Sequence, residues 1–198
     1  MEIVRQRIRE SIEIKRQLLR DDAISRLVAE AADRMIECYE RFNGATYFCG
    51  NGGSAADAQH LAAELVGRFV LERPGLAAQA LTANTSVLTA IANDYDYDRV
   101  LARQVEAFVK PHDVLVGLST SGNSRNVLAA VAKAKEIGAF TVGFTGGAGG
   151  RLKALSDCCI CIPSSDTARI QECHILLGHI LCEVVEAHMA KCSGPEFR

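Results

Sequence analysis

From about residue 45 onward, short apolar runs alternate with longer stretches in which apolar residues recur at helical spacing. The short runs predict buried strands, and the longer stretches predict helices. The predicted strands are 45–49, 76–81, 113–118, 139–144 and 158–162. The predicted helices are 54–69, 85–92, 97–109, 124–137, 150–156 and 167–191. This alternation predicts an α/β fold: a single domain with a five-stranded parallel sheet flanked by helices on both faces.

The first forty residues predict two helices. The first helix carries scattered apolar residues among many charges: Ile3, Ile8, Ile12, Leu18 and Leu19. Asp21-Asp22 predicts a break and an N-cap, and the second helix, roughly 22–42, ends at Asn43-Gly44. Because the first helix is too polar for a core element, we expect it to lie over the domain or against another subunit. We assign 1–43 to the same domain and to an oligomer interface, and 44–198 to the main α/β unit.

Composition narrows the class of protein. The chain has 198 residues, 48% hydrophobic and 23% charged, with a formal net charge of −2. These values suit one globular domain and provide no general basic surface for nucleic acid. No apolar run approaches bilayer-spanning length, and the N-terminus lacks the apolar core of a secretory signal. We therefore expect a cytoplasmic protein with neither nucleic acid nor a membrane as partner.

The chain contains eight cysteines. Without a secretory signal, and because most of them lie in apolar runs, we expect buried free thiols rather than disulfides. The run Cys158-Cys159-Ile160-Cys161 falls on a predicted strand, where Cys159 and Cys161 share one face and Cys158 points the other way. Core packing is therefore favoured over a zinc cluster at this strand.

Residues 50–64 combine a glycine-rich turn with a helix that carries ionisable side chains. The sequence GNGGS at 50–54 follows a predicted strand and opens a predicted helix. Glycine lets a ligand approach the main chain closely, and a helix start presents unpaired N–H groups to an anion or a hydroxyl. His60 and Glu64 are four residues apart, so they project from one helical face. The segment predicts a ligand cradle followed by a base or metal pair.

A second polar loop follows the predicted strand 113–118. Residues 119–124 read STSGNS and place four hydroxyls just before a predicted helix: Ser119, Thr120, Ser121 and Ser124. Hydroxyl donors, a glycine-permitted turn and helix N–H groups suit a phosphate monoester. The loop holds no lysine and the chain has no P-loop pattern, which argues against a nucleoside triphosphate. The alternative is an ordinary N-cap at Ser124 within a polar loop.

Four segments together resemble the sugar isomerase (SIS) domain family. They are GNGGSA at 50–55, AIAND at 90–94, STSGNS at 119–124 and ARIQECH at 168–174. The resemblance covers about residues 21–190. Within the family it points to enzymes that convert sedoheptulose 7-phosphate to D-glycero-D-manno-heptose 7-phosphate, the first step of ADP-heptose biosynthesis for the lipopolysaccharide core. The resemblance therefore implies sedoheptulose 7-phosphate as the substrate, zinc as the cofactor and a homotetramer as the assembly.

The family's functional positions carry over residue by residue. The implied substrate-binding residues are Asn51, Gly52, Gly53, Ser54, Glu64, Asn93, Asp94, Ser119, Thr120, Ser121, Ser124 and Gln171. Within that set, Asn93 and Asp94 would hold sugar hydroxyls, and the residues of the 119–124 loop would hold the phosphate. The implied zinc ligands are His60, Glu64, Gln171 and His179. The implied acid–base pair is Glu64 and His179.

These residue types suit an aldose–ketose isomerisation. The reaction moves a proton between adjacent carbons and passes through an enediolate, so it needs a base, an acid and charge stabilisation. A carboxylate and an imidazole supply the proton transfers, and zinc with an open position polarises a carbonyl. Alone, Glu64 would be an ordinary surface residue and His179 an ordinary core residue, so their joint occurrence carries the interpretation. His112, His174 and His188 lack such support and are expected to be structural.

Gln171 and His179 raise a geometric question. They are eight residues apart on one predicted helix, so their Cα atoms are separated by about 12 Å along its axis. Either long side chains lean toward one ion, or different copies of the helix contribute to each site. We predict active sites at subunit interfaces. Glu64 raises a related question, because firm zinc binding would oppose its use as a free base.

Two alternative functions remain. Some SIS proteins of this length are non-catalytic modules, including one that binds the replication initiator DnaA. The presence of both Glu64 and His179 favours the enzyme. Isomerases of other phosphosugars, such as arabinose or hexulose phosphates, form the second alternative, since the sequence does not fix the number of sugar carbons.

Overall fold

The computed structural model describes residues 1–192. The helices of this part of the chain are α1 (Glu2–Arg20), α2 (Asp22–Phe42), α3 (Gly53–Val66), α4 (Thr85–Asp94), α5 (Ala102–Phe108), α6 (Arg125–Ile137), α7 (Gly150–Leu155) and α8 (Thr167–Cys192). The strands are β1 (Thr46–Cys49), β2 (Ala78–Ala80), β3 (Val114–Leu118), β4 (Phe140–Gly146) and β5 (Cys158–Ile162). A short 3-10 helix, Tyr97–Arg99, lies between α4 and α5.

The five strands form one parallel sheet in the order β2-β1-β3-β4-β5. Thr46 of β1 lies opposite Ala78 of β2 on one side and Val114 of β3 on the other. The chain runs from β1 to β2 on one side of β1 and then crosses to β3 on the other side. The boundary between β1 and β3 is therefore the topological switch point of the sheet. Ligands of open α/β sheets bind beyond the carboxyl ends of the strands at such a point. The loops after β1 and β3 lie there.

Helices cover both faces of the sheet, as predicted. One apolar cluster joins the strands to α2, α3 and α8, and the other joins them to α5, α6 and α7. All five residues of β3 are buried, which explains its uninterrupted apolar sequence in the centre of the sheet.

The N-terminal helices follow the predicted pattern. The Asp21 carboxylate accepts a hydrogen bond from the Ala23 backbone N–H at 2.9 Å and separates α1 from α2. Asn43 ends α2 with φ +47°, in the left-handed region. Along α1 only Leu18 is buried. Ile3, Ile8 and Ile12 are 56%, 54% and 43% exposed, so α1 lies on the surface of the domain.

Three predicted boundaries were wrong. The predicted helix 97–109 is interrupted, because Asp96 caps a separate 3-10 turn and the buried Val100 and Leu101 precede α5. The predicted strand 76–81 is reduced to β2. The predicted helix 54–69 ends at Val66, where the Arg73 guanidinium donates hydrogen bonds to carbonyl oxygens of the last turn.

Helix α8 bears on the expectation about membrane-spanning segments. Its 26 residues are long and apolar enough, by length and composition, to cross a membrane, so the expectation that no apolar run approaches that length was wrong. However, 44% of its most apolar window is buried inside the protein. Leu177, Leu181 and Val185 belong to the core cluster beneath the sheet, as is typical of a core helix.

All eight cysteines are free, as predicted. Cys159 and Cys161 share one face of β5 with their sulfurs 4.0 Å apart, and Cys158 is buried on the other face. Cys192 differs from the expectation of burial, because it is exposed on the last turn of α8.

Candidate active site

Three potential ligand atoms converge between α3 and α8. His60 Nε2 lies 2.9 Å from Glu64 Oε1 and 3.1 Å from His179 Nε2. All three ligand atoms lie within 4.8 Å of one another. The His60 side chain is 50% exposed and that of Glu64 is 22% exposed, so the group opens to solvent. We call these three residues the His–Glu–His cluster.

Close packing of α3 on α8 creates this cluster. The two helices run side by side in the same direction, and Gly178 lies directly against Leu61. A Cβ at position 178 would come within 2.7 Å of the Leu61 side chain, so only glycine permits this approach without displacement. The Cys182 thiol, one turn further along, contacts the Leu61 carbonyl oxygen at 3.9 Å. The approach places His179 beside His60.

Two further side chains border the cluster. The Phe69 ring lies against the His179 ring, with centroids 5.5 Å apart. Asp57 precedes His60 by three residues on α3, and its Oδ2 is buried without a hydrogen-bond partner among the described residues. Burial raises the pKa of Asp57 above its usual value, and the His60 and His179 imidazoles offset only part of this increase. Neither residue was predicted from the sequence as part of the site.

The region around Phe69 is held by a buried ion pair. The Glu186 carboxylate on α8 accepts hydrogen bonds from the backbone N–H groups of Phe69, Val70 and Leu71 at 2.6–2.8 Å. It also pairs with Arg73 at 3.3 Å, and both side chains are 1% exposed. Burial raises the Glu186 pKa, but the three N–H donors and the Arg73 cation outweigh it, leaving the pKa below its usual value. Arg73 and Glu186 thus fix the chain between α3 and β2 against the cluster.

Gln171 lies outside the His–Glu–His cluster. Its half-buried amide packs on Gly53, where a Cβ would come 2.6 Å from Gln171 Nε2. Gly53 precedes His60 by seven residues on α3, which corresponds to roughly 10 Å along the axis. Gln171 therefore sits beside the glycine-rich loop, at a distance from the cluster formed by its own chain.

The glycine-rich loop is tied to the helix that follows β3. The side-chain amides of Asn51 and Asn126 exchange two hydrogen bonds, at 2.9 and 2.8 Å. The Tyr97 hydroxyl donates a third, to Asn51 Oδ1 at 3.2 Å. Gly52 has φ +55° and occupies the N-cap position of α3, a conformation that favours glycine. Ser54 follows in the first turn of α3 and is buried.

The loop of residues 119–124 forms a compact hydroxyl-lined turn at the start of α6. The Ser119 hydroxyl donates to the Ser124 hydroxyl at 2.9 Å. Ser124 occupies the N-cap position of α6, but its side chain does not cap the helix. Gly122 has φ +64° and packs on the backbone of Gly149, which makes the 146–150 loop a wall of this turn. A pocket of about 240 Å³ lies here, lined by Thr120, Ser121, Gly146, Gly147, Ser164, Ser165, Thr167 and Ile170.

Asn93 and Asp94 lie at the exposed end of α4. Their side chains hydrogen-bond to each other at 2.9 Å, and no described hydrogen bond joins them to the cluster or to the 119–124 loop. The neighbouring 3-10 turn does reach the site, through Tyr97 and through an ion pair between Asp98 and Arg125 at 3.2 Å.

The three other histidines do not join the cluster. His174 is buried, and one ring nitrogen lies 3.1 Å from the Thr145 carbonyl oxygen. Burial lowers its pKa to about 4. His112 stacks on Phe42, and His188 contacts Glu40.

Comparisons with known proteins identify the family of this chain. The sequence profile of the SIS domain family matches residues 9–146. A phosphoheptose isomerase of Roseiflexus sp. (strain RS-1) is 53% identical over 179 residues, which cover 90% of this chain and 89% of that protein. A phosphoheptose isomerase of Clostridium acetobutylicum is 50% identical over 182 residues and 92% of both chains.

A solved structure supports the same assignment. The phosphoheptose isomerase of Neisseria gonorrhoeae superposes with a TM-score of 0.88 at 44% identity, covering 94% of this chain and 98% of that one. The chain belongs to the SIS domain family, and within it to the phosphoheptose isomerases.

Proposed function

We propose that this chain is an aldose–ketose isomerase that converts sedoheptulose 7-phosphate to D-glycero-D-manno-heptose 7-phosphate, the first step of ADP-heptose biosynthesis. The observation that carries the proposal is the convergence of His60, Glu64 and His179 between α3 and α8, where α3 begins at the glycine-rich loop of the sheet's switch point. A cytoplasmic location belongs to the same proposal, because a charged sugar phosphate does not cross an apolar bilayer freely.

The phosphate binds at the start of α6. Thr120 and Ser121 also line the pocket that extends from this turn to the end of β4 and the start of α8, and Ser119 and Ser124 complete the set of hydroxyls around the turn. The first N–H groups of a helix and its positive dipole end favour an anion. The glycine-rich loop binds the sugar between this turn and the cluster, because the Asn51–Asn126 amide pair holds the two loops together.

The acid–base chemistry belongs to Glu64 and His179. One of the two removes the proton from the carbon beside the carbonyl, and that proton returns to the neighbouring carbon. The other moves a proton between the carbonyl and hydroxyl oxygens. Gln171, on the Gly53 side, suits a hydrogen bond to a sugar hydroxyl, and Asn93 and Asp94 remain proposed substrate contacts at the end of α4.

The His–Glu–His cluster also fits a divalent metal. Two imidazole nitrogens and one carboxylate oxygen are the three protein ligands of one type of catalytic zinc site, whose fourth position is open. Zinc, when bound, supplies polarisation of the carbonyl and stabilisation of the enediolate. His60, Glu64 and His179 would hold it, so proton transfer by Glu64 would require this ligand to exchange while zinc is bound. Gln171 of the same chain lies two helical turns away, at Gly53.

A homotetramer with active sites at subunit interfaces completes the proposal. The apolar residues Val4, Ile8 and Ile12 of α1 are exposed at four-residue spacing and share one face of the helix, as expected for a helix that packs on another copy. The separation of Gln171 from His179 supports contributions from more than one copy. Light scattering measures the subunit number, and a monomeric variant with full activity would contradict the interface prediction.

The test of the function is turnover of sedoheptulose 7-phosphate by the wild-type protein, followed by NMR. We expect formation of the aldose 7-phosphate and much slower conversion of pentose and hexose phosphates. The DnaA-binding alternative predicts no turnover and capture of DnaA in a pull-down. A faster reaction with a shorter phosphosugar would contradict the heptose assignment and leave the isomerase chemistry intact.

A further inference from the structure

A second group of metal-ligand side chains lies at the far end of α8. Glu40, near the end of α2, meets His188 and Cys192 on the last turns of α8. His188 Nε2 lies 2.9 Å from Glu40 Oε1, and Cys192 Sγ lies 3.2 Å from the same oxygen. The three ligand atoms lie within 4.8 Å of one another. His188 is nine residues beyond His179, about 13 Å along the helix, so this group is separate from the active site.

The fold fixes the relative positions of these three side chains. His188 and Cys192 are four residues apart, so they project from the same face of α8. The two helices pack together in one apolar cluster that includes Met35 and Val185. This apolar packing of α2 on α8 holds Glu40 opposite His188 and Cys192.

Their chemistry matches a soft divalent cation. Imidazole nitrogen, carboxylate oxygen and thiolate sulfur are the three kinds of zinc ligand in proteins, at about 2.0–2.3 Å from the metal. Tetrahedral bonds of that length separate neighbouring ligand atoms by roughly 3.3–3.7 Å. The observed separations of 2.9 and 3.2 Å are those of hydrogen bonds and widen to this range when a metal replaces the bridging protons. All three residues are exposed, so a cation and a fourth ligand water have access.

We propose that Glu40, His188 and Cys192 form a second metal site, which binds zinc and joins the end of α2 to the end of α8. The thiol loses its proton on binding, the metal–sulfur bond forms, and the proton passes to water. The site has no part in the isomerisation, and it does not depend on the proposed function.

Cobalt(II) distinguishes this site from the His–Glu–His cluster. Thiolate bound to cobalt produces a charge-transfer band in the near ultraviolet, and the His–Glu–His cluster contains no sulfur. We expect the band when the reduced, metal-free full-length protein is titrated with cobalt, and its displacement by zinc. Cys192→Ser should abolish the band, and His188→Gln should lower the apparent cobalt affinity.

Control variants test whether the thiolate bound to cobalt is that of Cys192. Cys161→Ser alters the paired thiols of β5, 4.0 Å apart, and should leave the band unchanged, as should Glu64→Gln. Zinc measured after dialysis should fall by one ion per chain in Cys192→Ser. A wild-type protein without the band, a band that survives Cys192→Ser, or equal zinc content in both proteins would overturn the proposal.

Discussion

Asn51 and Asn126 exchange two side-chain hydrogen bonds, at 2.9 and 2.8 Å, and thereby join the loop after β1 to the helix after β3. Asn126 is buried, with 3% exposure, and Asn51 accepts a further bond from Tyr97. The pair bridges the switch point of the sheet. The distance between the proposed phosphate site and the sugar site therefore depends on this contact.

Asn126→Ala should raise KM for the sugar phosphate more than it lowers kcat. Loss of the amide removes two hydrogen bonds to the half-buried Asn51, whose Oδ1 keeps the bond from Tyr97, and at about 0.5–1.5 kcal/mol per bond this costs about 1–3 kcal/mol of stability. Urea unfolding measures the stability, and steady-state kinetics measure KM and kcat. Gln59→Ala, on the exposed face of α3, is the control and should match the wild type. An unchanged KM in Asn126→Ala would show that the amide pair does not position the loops.

Glu186→Gln should destabilise the protein and slow the reaction. The amide is a poorer acceptor for the three N–H groups of Phe69, Val70 and Leu71, and it leaves the buried Arg73 cation unpaired. Breaking a buried pair in this way costs about 3–5 kcal/mol. Release of Phe69 from His179 should lower kcat at temperatures where the variant is still folded.

Glu183→Gln provides the control for that experiment, because Glu183 is exposed on the same helix. Denaturant unfolding and kcat should both stay at wild-type values in this variant. A Glu186→Gln protein that is less stable but has wild-type kcat would limit Glu186 to a structural role.

His174 should make the stability depend on pH between about 6.5 and 4. Burial lowers its pKa from 6.5 to about 4 in the folded protein. Between these two pH values His174 is protonated in the unfolded chain and neutral in the folded protein. Stability from this residue is fully present above pH 6.5 and falls as the pH decreases toward 4, by about 3 kcal/mol in total. His174→Gln should flatten the pH dependence of the unfolding free energy over this interval. Equal slopes in the two proteins would contradict the buried neutral imidazole.

The apolar periodicity of the sequence sufficed to predict the five strands, because each is a short apolar run buried between helices. The Asn43-Gly44 pair, a C-terminal stop signal, predicted the end of α2, where Asn43 adopts the left-handed conformation. The periodicity did not predict the strand order, since nothing in the local sequence states which side of β1 receives β3.

The site residues that were not predicted from the sequence were missed for the same reason. Asn126 becomes a partner of Asn51 only through that strand order, and Glu186 meets Phe69 only because α8 packs along α3. Tertiary contacts between residues 75 and 117 positions apart leave no local pattern. In contrast, helical spacing paired His60 with Glu64, the resemblance to a known family added His179, and the structure brings the three together.

The most direct test is the rate of sedoheptulose 7-phosphate conversion by Glu64→Gln and His179→Gln, with Glu72→Gln as an exposed control on the neighbouring segment. We predict that both cluster variants lose activity by roughly 100- to 10,000-fold, that their circular dichroism and melting temperature stay close to wild type, and that Glu72→Gln remains active. A folded Glu64→Gln or His179→Gln protein that turns over substrate within a few-fold of the wild-type rate would contradict the account.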